Sequence, residues 1–203
     1  MRKTLILIFG VTILQLNFSC KTQYSTTELK NNFSADQISD LNKITDFFKN
    51  QICENKNSDF KTCFNKILPG LLENGLFSLL ERIDYQNQKE LYDSISESTF
   101  NEIWGFGKET YRDTGLELKS LSSKYNGKYQ KFLTELGRTN NELKEYADRV
   151  IGAGDFESMG WLQNRIYLNP SKFDLDNQNI QLLIAIHFLT INDQRNRTDK
   201  WEK

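Results

Sequence analysis

The chain has 203 residues, with 26 Lys or Arg against 27 Asp or Glu and a formal charge of −1. That length suits one domain with a real core, and the interspersed signs leave no basic face for nucleic acid. Valine occurs only at Val11 and Val150 and proline only at Pro69 and Pro170, while Leu, Lys, Glu, Gln and Asn abound, a composition that leans helical.

Met1 is followed by Arg2, Lys3 and an apolar stretch from Leu5 to Leu16. As a helix those residues would be about 18 Å long, short of the roughly 30 Å hydrocarbon core of a bilayer. A basic tip, a short apolar run and a small residue, Ser19, are the parts of a secretory signal peptide. With Cys20 next, "QLNFSCK" resembles the lipobox of bacterial lipoproteins, although Asn17 and Phe18 stand where Leu and a small residue are common and Leu16 comes one step early. The resemblance implies cleavage of residues 1–19 and lipidation of Cys20, hence a membrane partner through a lipid anchor. Lys21 follows the cysteine and no acid appears before Glu28. These features point to the outer membrane, facing the periplasm, with the cell surface as the alternative.

Residues 20–33 are polar and aperiodic after the cysteine and read as a tether, reaching about 45 Å stretched or about 20 Å as a flexible coil. Residues 34–192 read as a helical domain and 193–203 as a polar, fraying tail. The domain opens with a capping box, Ser34 with Gln37, followed by Ile38, Leu41, Ile44, Phe48 and Ile52 at helical spacing. A second helix is expected from Asp59 to Leu68, stopping near Pro69-Gly70. A third carries Leu72, Leu76, Leu79, Leu80 and Ile83, with a break at Asn74-Gly75. Short helices follow from Gln86 to Ile95 and from Thr99, where Glu102 completes a second capping box.

Gly105 to Asn126 has no consistent period, since Leu116 and Leu118 alternate and Leu121 falls out of step; it reads as irregular. Helical spacing returns with Tyr129, Phe132, Leu133 and Leu136, ending near Gly137. Thr139 with Glu142 caps a helix bearing Leu143, Tyr146, Val150 and Ile151, and Asp155 caps one containing Trp161 and Ile166. After Pro170, Asp174 or Asp176 is placed to cap the last helix. Its core, "IQLLIAIHFLTI" at 180–191, is apolar on nearly every side and belongs in the middle of a bundle. The expected fold is therefore all-α, a compact multi-helix bundle around a buried C-terminal helix.

Cys53 and Cys63 can form a disulfide in an oxidising compartment, closing a loop of eleven residues worth roughly 3 kcal/mol. Buried free thiols are the competing reading. Nine intervening residues match no common zinc spacing, and His187 is the only histidine, so no metal site is expected. "GAGDFESMG" at 152–160 lacks the third glycine of a dinucleotide loop, and "DLDNQN" at 174–179 lacks the sixth-position glycine of a calcium loop; no cofactor is expected. Pairs such as Glu81 with Asp84 and Glu109 with Asp113 fit solvated helix faces. Tyr125, Tyr129, Phe132, Tyr146, Trp104 and Trp161 could line a groove, although Phe132 and Tyr146 fall on apolar stripes.

No catalytic set stands out. The expected function is a helical module that binds an envelope protein or peptide, a toxin-neutralising immunity lipoprotein being one form of it. An envelope hydrolase acting on cell-wall glycan or peptide is the alternative, and it requires a solvent-reachable His187 or two converging carboxylates.

Overall fold

The computed structural model describes residues 25–154, 156 and 160–201. The expected leader and Cys20 lie outside these residues, as do Asp155 and residues 157–159 of the glycine-containing stretch. The described chain is mostly helical, in the order α1 (Thr27–Asn32), α2 (Ala35–Ile52), α3 (Phe60–Asn74), α4 (Phe77–Leu80), α5 (Tyr85–Ser94), α6 (Glu97–Ile103), β1 (Trp104–Tyr111), β2 (Leu116–Ser123), α7 (Lys128–Leu136), α8 (Asn141–Ala153), α9 (Trp161–Leu168) and α10 (Gln178–Asn196). The expectation of an all-α chain is corrected by the β1–β2 hairpin.

α10 is the spine. Every residue from Leu182 to Asp193 is buried, because other elements cover all sides of the helix. The ring of Phe188 stacks on Phe48 of α2 at 6.0 Å and packs against Phe64 of α3 at 6.2 Å. Trp104 is fully buried and its indole N–H donates to Thr190 Oγ1 at 2.8 Å, which fixes the base of the hairpin to the spine. Gln88 of α5 donates to the Leu189 carbonyl at 2.7 Å and accepts from Asn192 at 2.7 Å, so polar groups in this dry region satisfy one another. No helix among the described residues is long and apolar enough to cross a membrane.

The Ser34–Gln37 capping box forms as expected. Other caps shift: Ser96, not Thr99, caps α6; Asn140, not Thr139, caps α8; and Asn177 caps α10 in place of Asp174 or Asp176. Pro69 lies inside α3, which continues to Asn74 because Leu68 and Leu71 both have core to bury against. The Sγ atoms of Cys53 and Cys63 are at bonding distance, with Cα atoms 5.1 Å apart, and this disulfide ties the end of α2 to the start of α3.

The hairpin occupies the stretch expected to be irregular. Trp104 pairs with Ser123 and Tyr111 with Leu116 in antiparallel register, and the turn closes on Gly115, whose φ of 66° is costly for any residue with a Cβ. Leu118 and Leu121 point to opposite faces, yet both are buried, so the strand shows no clean alternation. The tail is held against the body as far as Trp201. α10 runs to Asn196, and Lys200 bridges to Leu118, with the Lys119 N–H donating to the Asp199 carbonyl at 2.8 Å and the Trp201 N–H to that of Glu117 at 3.1 Å. The tail thus lies along β2 through a single bridge, and the sheet itself keeps two strands.

The expected tether is shorter than the sequence suggests. Residues 27–32 form α1, capped by Thr26, with Leu29 and Phe33 buried.

Candidate functional site

Two clefts open between helices that are distant in sequence. The larger, about 630 Å³, lies between the α3–α4 corner and the α9–α10 pair. Leu71, Leu72, Leu76, Leu80 and Ile191 supply apolar wall, and Asn74, Asn164 and Gln163 supply amides. Phe77 stands at the rim, 57 % exposed, with the Arg195 guanidinium 4.1 Å from its ring centroid. The corner exists because α3 stops at Gly75, whose φ is 72°, and a single helical turn, α4, redirects the chain.

The floor of this cleft is tightly fitted. Gly160 starts α9 with a φ of 80°, and a Cβ there would meet Gln163 Nε2 at 2.7 Å. Gln163 is buried, and its Oε1 accepts no hydrogen bond from the described residues. Its volume falls within the range of small-ligand and peptide-anchor pockets, which are mostly apolar with a few polar groups. The aromatic–arginine pair at its edge is of the kind that dominates binding energy at protein interfaces.

The smaller cleft, about 320 Å³, lies between α3 and α9 and is lined by Leu68, Pro69, Ile166, Tyr167 and Phe173 among others. Lys61 at its edge pairs with Asp176 at 2.6 Å, which holds the ammonium pKa above its ordinary value. Tyr167 and Leu168 are exposed beside it.

The residues weighed for catalysis sit elsewhere. His187 is 1 % exposed, with Tyr146, Phe156 and Phe188 against its ring and its Nδ1 3.2 Å from the Tyr146 hydroxyl. Burial drives the imidazole pKa down to about 3, so the ring is neutral at pH 7. The Tyr129 hydroxyl lies beside that of Tyr146, and burial pushes both phenols well above their ordinary value. This is a buried polar row, out of reach of a substrate.

The carboxylates most altered by their surroundings are structural. Burial pushes Asp40 up, but Lys43, the Ser96 N–H and the hydroxyls of Thr99 and Ser96 outweigh it and hold the group at about 2. Burial raises the fully enclosed Asp193 despite a two-pronged contact from Arg197, Nε to Oδ1 at 2.8 Å and Nη2 to Oδ2 at 2.7 Å. Arg197 also meets Asp199 and lies 4.8 Å over the Phe106 ring, so it fastens the tail to α10 and the hairpin. Asp84 caps α5.

Of the aromatics considered for a groove, Trp104, Tyr129, Phe132 and Tyr146 are core, Tyr125 is 74 % exposed, and Trp161 carries Arg149 and Arg165 near its ring. None of them lines the larger cleft. Its residues escaped the sequence reading, with one available signal: Phe77 is an aromatic lying off the Leu72–Leu76–Leu79–Ile83 stripe. Comparison with protein-family models, with curated proteins and with solved structures finds no match to this chain.

Proposed function

We propose that the protein is a lipid-anchored envelope module whose helical body binds a protein or peptide partner through the cleft between the α3–α4 corner and the α9–α10 pair. The observation that carries this reading is the cleft itself: an apolar trough of about 630 Å³ with an exposed phenylalanine and a guanidinium at one edge. An apolar partner side chain would displace water from the leucine walls, and Arg195 would favour a carboxylate or backbone carbonyl beside it. The address follows from the leader and Cys20, with the outer membrane, periplasmic side, as the location. The hydrolase alternative gains no support from His187, which is dry and faces a tyrosine hydroxyl.

The test is photo-cross-linking in cells, with a photo-reactive phenylalanine analogue in place of Phe77. A discrete adduct that disappears when Leu72→Glu is added supports the cleft as the binding site. No adduct at Phe77, with one forming from Tyr125 or Tyr167 instead, overturns it.

A further inference from the structure

α1 is fastened to the body by contacts that span more than one hundred residues of sequence. Thr26 Oγ1 donates to Asn179 Oδ1 at 2.7 Å, and Asn179 Nδ2 donates to Glu28 Oε2 at 3.0 Å. Asn31 and Asn32 each donate to one oxygen of the Glu135 carboxylate at 2.6 Å, and Phe33 meets Phe132 edge-on at 6.0 Å. Together with the burial of Leu29, these contacts fix the chain to the body from Thr26 onward.

From Cys20 to Ser25 the chain spans five residues, at most about 18 Å when extended. These partners lie where α10 begins and toward the end of α7. Asn140 Nδ2, donating to the Lys172 carbonyl at 2.6 Å, adds the turn before α10 to that end. From Asn179 to Arg195, α10 climbs about 24 Å. α3 runs the same way, with Lys61 meeting Asp176 at the lower end and the Asn74–Phe77 corner facing Ile191 and Arg195 at the upper. The hairpin is also at the upper end, where Gln194 Nε2 donates to the Leu121 carbonyl at 2.6 Å.

We propose that the end built from α1, the α7–α8 turn and the turn before α10 lies against the lipid surface, with the larger cleft and the hairpin held away from it. This rests on the reading of Cys20 as the lipidated residue. The two lengths decide the orientation: laying the cleft end on the bilayer would lift Ser25 about 24 Å from it, farther than a five-residue chain of about 18 Å reaches. The lipid-facing end carries the exposed Lys30, Arg138 and Lys172 together with the exposed Asp36, Asp174 and Asp176, so its charge is mixed and the tether length, not charge, carries the orientation. A binding cleft carried at the opposite end stays open to a partner in the aqueous space.

The full chain, processed in cells, is reconstituted into vesicles of phosphatidylethanolamine and phosphatidylglycerol, with a photo-reactive residue replacing Lys30, Lys172, Phe77 or Tyr111. Mass analysis of the amino-terminal peptide is done first. Lipid adducts several-fold more abundant from Lys30 and Lys172 than from Phe77 and Tyr111 support the orientation. If Cys20 bears no acyl mass, anchor and orientation fall together. If it is acylated and Phe77 labels lipid as strongly as Lys30, the orientation alone is overturned. A Gly-Ser insert after Lys21, of about twenty residues and so lengthening the flexible reach beyond about 25 Å, should erase the difference; a difference that survives it overturns the short tether as the cause.

Discussion

Burying the imidazole of His187 builds an acid sensitivity into the core. Its folded pKa, about 3, is below the 6.5 of the free group, so between those values the unfolded chain binds a proton that the native state refuses. Its contribution to stability is whole above pH 6.5 and declines as pH falls toward 3. At pH 4 the gap is worth about 3 kcal/mol. Denaturant titrations at pH 7 and pH 4 should show wild type losing about that much more than His187→Gln, which keeps a polar partner for Tyr146 and cannot titrate; equal losses would refute the assignment. Asp40 acts in a lower window. Its pKa is held at about 2 against 3.8 by four donors, so its contribution is present above pH 4 and fades toward pH 2. Asp40→Asn should cost about 2 kcal/mol at pH 7 and almost nothing near pH 2, read from the same titrations.

At the scale of elements, the Asp193–Arg197 ion pair fastens the tail to the end of α10, beside the backbone hydrogen bonds that join the tail to β2. Asp193 is fully enclosed, and removing its partner leaves a buried charge with nothing to balance it, a loss of about 3–5 kcal/mol. Arg197→Leu should therefore destabilise the protein by that amount in denaturant titrations, and adding Asp193→Asn should restore most of it. A double variant as weak as the single one would mean that packing of Arg197 over Phe106, not charge, is what matters. The same region marks where the sequence stops being readable. α2 was legible because its capping box and apolar stripe are local. Ser96 caps α6 while Asp40, 56 residues away, accepts from its hydroxyl and its N–H, and Asn140 caps α8 while also holding Lys172; Thr99 and Thr139 offered equal local chemistry. α1 is short and polar, and its helix is backed by Asn179 and Glu135, which no local period reveals. β2 lost its alternation because leucines on both faces are covered. The cleft is the extreme case, assembled from the α3–α4 corner and from α9 and α10, about a hundred residues apart, with nothing in either segment alone to mark it.

For the whole molecule, Phe188 tests whether the body is one cooperative unit. Its ring lies in the middle of α10, without exposure, nearly parallel to Phe48 at an interplanar angle of 5° and beside Phe64, so one side chain joins the three longest helices. Cutting it to alanine removes a phenyl ring from a site that these helices can close only by moving together, a loss of about 3–5 kcal/mol. In a domain of this size each kcal/mol moves Tm by about 2–4 °C, so Phe188→Ala should melt about 6–20 °C below wild type. If the hairpin, carried by Trp104 and Thr190 on that same helix, shares the core, far-UV circular dichroism and tryptophan fluorescence should fall in one coincident transition. Tyr125→Ala, at a site open to solvent, should leave Tm where it was. Two separated transitions in Phe188→Ala would show the hairpin end unfolding independently, and α10 would then be a helix shared by two units instead of the spine of one.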